Sequence, residues 1–158
     1  MWLVYQLIAM TVMGVLSFVI GEKLPNDIFD HKKFPFRAFK WENDGRVYEK
    51  LKIKKWKDIL PDMSRIFSKM LRKKAAGKSK KEIGAFIIET CRAEAVHAAL
   101  ALAGFVVLTI IGGVMGFVIS LLYAAGNLVF VIIQRYNRPR LVKIYDKMEM
   151  LEKRKQNG

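Results

Sequence analysis

A chain of 158 residues is long enough for one compact unit and too short for two ordinary domains. Hydrophobic residues make up 53%, and 28 Lys and Arg stand against 14 Asp and Glu, a formal net charge of +14. That pairing argues against an ordinary soluble domain and against a nucleic-acid partner, because a soluble basic binder does not carry long uncharged runs; it suits a membrane protein with basic flanks.

Residues 2–20 form the first uncharged run, about one bilayer in length. No basic segment precedes it and Gly21-Glu22-Lys23 is no small-residue cleavage site, so the run reads as an anchor. Residues 21–82 carry 19 Lys and Arg against 9 Asp and Glu, and Pro25, Pro35 and Pro61 interrupt any long helix. Within them Lys33–Trp41 interleaves aromatic and basic side chains, the pattern of a segment lying on a membrane surface and attracted to anionic phospholipid. The competing reading is a cap whose aromatics form a small core of their own. Val47–Lys57 predicts a helix or irregular interfacial segment with Val47, Leu51 and Trp56 on one face, although Leu51–Lys54 also alternates like a strand. Residues 62–72 look amphipathic, and 73–81 read as a basic linker.

Residues 96–133 are uncharged throughout, and Gly112-Gly113 divides them as a tight helical hairpin would be divided. The expected fold is an all-α integral membrane protein, a single membrane domain over 1–158. It has three transmembrane helices: an N-terminal anchor at 2–20, a long helix entering the membrane at 83–111, and a return helix at 114–133. Residues 21–82 form a basic cytoplasmic interfacial segment and 134–158 a basic cytoplasmic tail, with Pro139 ending the helix. The positive-inside rule puts the N-terminus and hairpin tip outside and the C-terminus in the cytoplasm of a multi-pass cell-membrane protein. Gly104, Gly112, Gly116 and Gly126 permit close helix contacts within or between chains, so an oligomer is allowed. The single Cys91 can form no internal disulfide and reads as a small apolar filler rather than a nucleophile.

Ionisable groups at the mouth of a span point to a working site. Glu89, Arg92, Glu94 and His97 stand there, and folding about Gly112-Gly113 brings Asn127 level with His97 and Gln134 and Arg135 level with Glu89–Arg92. A neutral His beside a carboxylate can take a proton from a hydroxyl. Asn or Arg can stabilise an oxyanion, and Arg can grip phosphate or carboxylate. The set suits acyl transfer from a cytoplasmic donor to a lipid-embedded acceptor; a structural ion-pair network is the other reading. Glu94-x-x-His97 is half of a di-iron motif without its second half, and His31 sits beside Lys32 and Lys33, so no metal is expected.

Three blocks give the chain a family resemblance: Lys55-Trp56-Lys57 with Asp62; Glu89-Thr90 with Arg92-Ala93-Glu94 and His97; and Gln134-Arg135-Tyr136-Asn137-Arg138-Pro139-Arg140-Leu141. In their order and spacing, from about Lys33 to Leu141, the sequence resembles the glycosyl-diaponeurosporenoate acyltransferases, membrane enzymes that finish staphyloxanthin-type carotenoids. The resemblance implies a transferase that esterifies a sugar hydroxyl of a membrane glycolipid with a fatty acyl chain. Acyl-CoA or acyl-ACP serves as cosubstrate and no further cofactor is expected. On chemical grounds His97, oriented by Glu94, is the base, with Arg92 or Asn127 at the oxyanion. Lys55, Trp56, Lys57, Glu89, Gln134, Arg135, Tyr136, Asn137, Arg138 and Arg140 would bind the substrates. The alternatives are a non-catalytic lipid-binding or assembly subunit, and an acyltransferase acting on a phospholipid or polyprenyl acceptor.

Overall fold

The computed structural model describes residues 2–57 and 79–156; the amphipathic stretch at 62–72 and most of the linker at 73–81 lie outside them. Among the described residues the chain is all-helical, with no strand. The α-helices are α1 (Trp2–Lys23), α2 (Ile53–Trp56) and α3 (Lys80–Gln156), and 3-10 helices cover Asn26–Ile28, Lys40–Glu42 and Arg46–Leu51. Two of them, α1 and α3, are long and apolar enough to cross a membrane. The chain forms two compact units, Met1–Ile28 with Arg92–Val131 and Phe29–Cys91 with Ile132–Gly158.

In the first unit α3 reverses at Gly113, whose φ of 56° and ψ of −137° suit a residue without a Cβ. The two arms then pack antiparallel. Thr109 and Ser120 hydroxyls lie 3.0 Å apart, and the rings of Phe105 and Phe117 meet edge-on at 5.7 Å. A methyl at Gly104 would lie 2.4 Å from the Tyr123 ring, so glycine sets how closely the arms approach. α1 runs alongside. Gln6 Nε2 donates to the Leu108 carbonyl at 3.2 Å, and at the other end Gly21 abuts Val96. Polar groups in these apolar helices are answered locally: the Thr11, Thr109 and Ser120 hydroxyls each donate to a carbonyl one turn back. The outer faces carry exposed Leu7, Phe18, Ile110 and Leu122, a surface suited to hydrocarbon.

In the second unit the flanks of α3 present an apolar seam. Ile83, Ile87 and Leu141 are buried, with Phe86, Val142, Ile144, Tyr145 and Met148 packed around them at helical spacing. A capping box starts α3: the Glu82 N–H donates to Ser79 Oγ at 3.3 Å and the Ser79 N–H to Glu82 Oε2 at 2.8 Å.

Residues 29–57 fold as a cap with Phe29, Phe36, Tyr48 and Ile53 buried. Its apolar face is therefore Tyr48 and Ile53, and Leu51, expected on that face, is exposed. The switch from 3-10 helix to α2 at Lys52 (φ 53°) breaks the single helical period on which the expectation relied. Phe34, at one end, and Trp41, next to the buried Tyr48 at the other, stay exposed in a chain of rings, Phe34–Phe39–Trp41–Tyr48, with neighbouring centroids 6.2–6.5 Å apart.

Pro139 does not end α3, which continues to Gln156. Proline there removes the bond to the Arg135 carbonyl, a loss that ordinarily stops a helix. Here left-handed Gly45 (φ 82°) lies against that carbonyl: a methyl on it would be 3.4 Å from the Arg135 oxygen and 3.3 Å from that of Tyr136. Arg140 Nη1 also donates to the Tyr136 carbonyl at 2.5 Å. Packing and a side-chain donor thus cover the weakened turn.

Candidate active site

The first unit joins His97 to Asn127. Nδ1 of His97 lies 3.0 Å from Oδ1 of Asn127, and Asn127 Nδ2 donates to the Tyr123 carbonyl at 2.9 Å. The carbonyl fixes which end of the amide faces the ring, since only the NH2 end can donate to it. Oδ1 can then only accept, so Nδ1 carries a proton, and in the neutral ring Nε2 keeps the lone pair. The ring stacks on Phe130, centroids 4.6 Å apart and planes 18° from parallel, which holds the half-buried imidazole in one orientation. Glu94 is buried one turn before His97. Arg92 reaches the end of α1: Nη2 donates to Asn26 Oδ1 at 2.5 Å and Nη1 lies 3.9 Å from Glu22 Oε1.

The second unit holds the other residues singled out in the sequence. Arg135 grips Glu42 with two donors, Nε to Oε1 at 2.5 Å and Nη2 to Oε2 at 2.7 Å. It also donates to the carbonyls of Pro35 and Arg37, each at 3.1 Å, and stacks on the Phe39 ring. Glu42 further accepts from the Phe39 N–H at 2.6 Å and from the Tyr48 hydroxyl. Burial pushes the Glu42 carboxyl up, but the bonds from Arg135, Tyr48 and Phe39 outweigh it, and the net shift is downward. Tyr48 is pushed up by burial and by its bond to Glu42.

Arg138 is buried and donates through Nε to Thr90 Oγ1 (3.0 Å), through Nη1 to the Phe36 carbonyl (2.6 Å) and through Nη2 to the Thr90 carbonyl (3.0 Å). Arg140 lies over the Tyr136 ring at 3.5 Å and donates to Glu49 at 2.9 Å. Lys57 approaches the same ring and donates to Asn137 Oδ1 at 3.4 Å. Trp56 Nε1 donates to the Leu51 carbonyl at 2.7 Å, Gln134 and Tyr136 are buried, Glu89 is half-buried, and Lys55 is exposed. The guanidiniums read as phosphate grips thus direct their donors to protein acceptors. Among the described residues no group of three or more His, Cys, Asp or Glu is placed to hold a metal ion.

The family described as glycosyl-4,4'-diaponeurosporenoate acyltransferase matches residues 26–147. The chain belongs to that family. Proteins of the same name from Staphylococcus aureus strains N315 and USA300 are each 30% identical to it over 128 residues, 79% of this chain and 76% of theirs. No solved structure matches the chain. The acyltransferase family match takes in the His97–Asn127 pair and the Arg135–Glu42 grip, and it begins at Asn26, which accepts from Arg92.

Sequence reasoning passed over Glu42, Gly45, Thr90 and Gln6 as working positions. Gln6 had a signal, being the only amide in the run 2–20. Thr90 stood inside a block that carried the resemblance. Glu42 meets Arg135 across 93 positions, a pairing that no local spacing announces.

Proposed function

We propose that this protein is a membrane O-acyltransferase that esterifies a sugar hydroxyl of a membrane glycolipid, resembling a carotenoid glycoside, with a fatty acyl chain from a cytoplasmic thioester. The observation that carries the reading is the Asn127–His97 hydrogen bond, which leaves Nε2 as an oriented base in a chain of this family. Nε2 takes the acceptor's hydroxyl proton as its oxygen attacks the thioester carbonyl. A C–O bond forms, the tetrahedral intermediate collapses, the C–S bond breaks, and the imidazolium returns the proton to the departing thiolate.

Asn127 orients the base in this scheme. Buried Glu94 steadies the imidazolium, and the oxyanion role falls to Arg92 or to the second N–H of the Asn127 amide, the first being given to Tyr123. The donor, acyl-CoA or acyl carrier protein, meets exposed Lys55 together with Lys57 and Arg140, while Arg135 and Arg138 hold the cap. The chain crosses the membrane three times, N-terminus and hairpin tip outside, with cap and C-terminal arm facing the cytoplasm and anionic lipid.

The test is acyl transfer from labelled acyl-CoA to extracted glycolipid, in vesicles carrying the wild type or His97→Ala. Loss of transfer with the fold intact is expected; full turnover by a folded His97→Ala protein would remove the mechanism. The bond linking the two arms also favours a second reading, a non-catalytic lipid-binding subunit with His97–Asn127 as a helix lock. There His97→Ala lowers thermal stability and lipid binding together and no product forms with the wild type. Mass spectrometry of host lipids before and after expression separates a glycolipid acceptor from a phospholipid or polyprenyl one.

A further inference from the structure

Most rings of the cap pack within the second unit. Phe29, Phe36 and Tyr48 are buried, and Phe39 lies half-buried with the Arg135 guanidinium 4.7 Å from its centroid. Phe34 and Trp41 are instead 74% and 63% exposed. We infer that these two rings seat the cap in the headgroup layer of an anionic lipid bilayer. This rests on the membrane-spanning reading above and deepens it, by naming the residues that meet lipid and the sign of lipid they meet.

Geometry comes first. Phe39 stacks on Trp41, centroids 6.3 Å apart and planes 9° from parallel, and meets Phe34 at 6.5 Å, so the two exposed rings belong to one continuous edge. The edge is supported, because Arg135 lies against Phe39 and is itself fixed to Glu42 by two bonds. Rings already held in place lose little freedom on docking. Trp favours the bilayer interface, and Phe buries its ring at the boundary between headgroups and acyl chains.

Charge comes second. Each exposed ring directly follows a lysine, Lys33-Phe34 and Lys40-Trp41, and Lys32 and Arg37 are exposed nearby in the chain. Residues 29–57 hold ten Lys and Arg against four Asp and Glu, and eight of the ten are lysine. Lysine is depleted at protein–protein interfaces, which argues against a protein occupant. At a membrane the same side chain lays its stem along the acyl boundary and lifts its ammonium to anionic headgroups. Of the four carboxylates, Glu42 is buried against Arg135 and Asp44 pairs with Lys143 at 3.0 Å, which leaves the surface of the cap basic. Connection comes third. α1 is apolar enough to cross a membrane, and only five residues, 24–28, separate it from Phe29, so a short tether keeps the cap near the bilayer that α1 enters.

The test uses the full chain with Trp2→Phe and Trp56→Phe, which leaves Trp41 as its single tryptophan. It is reconstituted in nanodiscs of phosphatidylcholine and phosphatidylglycerol, with and without lipid brominated near the headgroup end of the acyl chain. Trp41 emission is expected to fall at least about twofold on bromination, and by less than half as much in phosphatidylcholine alone or with Lys33→Glu/Lys40→Glu. Emission unchanged by bromination, as when a protein covers this edge, or quenching indifferent both to anionic lipid and to the two lysines, would overturn the inference. A chain keeping Trp2 alone reports on α1. Quenching of Trp2 without quenching of Trp41 sinks the docking edge only, whereas quenching of neither removes the membrane-spanning reading and the docking edge with it. The natural chain carrying 5-fluorotryptophan gives the same comparison by fluorine NMR with a nitroxide lipid, independently of whether Trp56→Phe disturbs the cap; Trp41→Phe assigns the resonance. His97→Ala is expected to leave Trp41 quenching unchanged, so failure of the transfer mechanism is read separately.

Discussion

Glu42 and Arg135 offer the sharpest test of what holds the cap. Glu42 is 2% exposed and accepts from two Arg135 donors, the Phe39 N–H and the Tyr48 hydroxyl, so Glu42→Ala deletes four bonds at once. It also leaves a guanidinium whose side chain is only 10% exposed without its counter-charge. Removing one partner of such a pair costs about 3–5 kcal/mol. Two carbonyls, those of Pro35 and Arg37, still accept from Arg135, which places the expectation at the lower end. In a chain of this size that is a fall in Tm of roughly 6–12 °C, at roughly 2–4 °C per kcal/mol.

Buried Cys91 supplies the assay, because a thiol-reactive dye labels the chain's single cysteine only as the fold opens. The double variant Glu42→Leu/Arg135→Met, apolar in place of both charges, is expected to recover most of the loss. A drop below about 2 °C for Glu42→Ala, or no recovery in the double variant, would refute the reasoning. The pH dependence has a definite sign. The folded pKa of Glu42 lies below its ordinary 4.5, so the stability it confers is present above that value. It is lost as pH falls through the folded pKa, and Glu42→Gln is expected to flatten that part of the acid limb.

Three further outcomes are expected. Gly45→Ala places a Cβ at φ 82° and 3.3 Å from the Tyr136 carbonyl, and thermal unfolding is expected to show a loss of about 1–2 kcal/mol or more. Gly104→Val drives a side chain into the Tyr123 ring 2.4 Å away and is expected to cost about 1–3 kcal/mol, with Tyr123→Ala in the same chain restoring part of it. Asn127→Leu removes the acceptor that selects the His97 tautomer; kcat is expected to fall at least about tenfold with KM little changed, and Asn127→Asp to rescue it.

How much of this was legible depends on whether the governing interaction is local. The reversal was legible, because an uncharged run too long for one span and broken by two glycines has few other solutions. Counting outward from that turn put Asn127 opposite His97, where the hydrogen bond lies. What the count could not supply is which hydrogen bond orients the imidazole. Spacing along one helix suggested Glu94; the bond on Nδ1 comes from the opposite arm. The cap was harder still. Its apolar face opposes residues that follow it by about fifty to a hundred positions, and aromatics mixed with lysines look the same whether they lie on a membrane or on a helix. Pro139 misled for a related reason, since a proline breaks a helix unless something outside the helix covers the freed carbonyl.

The arginine block shows why residue chemistry alone underdetermines role. A row of guanidiniums beside aromatics is what a phosphate site looks like, and it supplied the sequence expectation for Arg135, Arg138 and Arg140. The same row is needed wherever irregular backbone must be held down without a sheet ladder or a disulfide. Three consecutive cap carbonyls, of Pro35, Phe36 and Arg37, have no strand partner, and buried carbonyls left unbonded are costly. Arg135 takes the first and third and Arg138, three residues on, takes the second, so the i,i+3 spacing matches the run of backbone acceptors. Glu42 then neutralises one guanidinium and ties the cap's aromatic ladder to it through Tyr48 and Phe39. If these side chains act as backbone clamps, replacing Arg138 with Lys keeps the charge and loses the fork. Arg138→Lys is therefore expected to destabilise the cap nearly as much as Arg138→Ala, whereas a side chain kept only to grip phosphate would leave the stability of the cap unchanged in either variant.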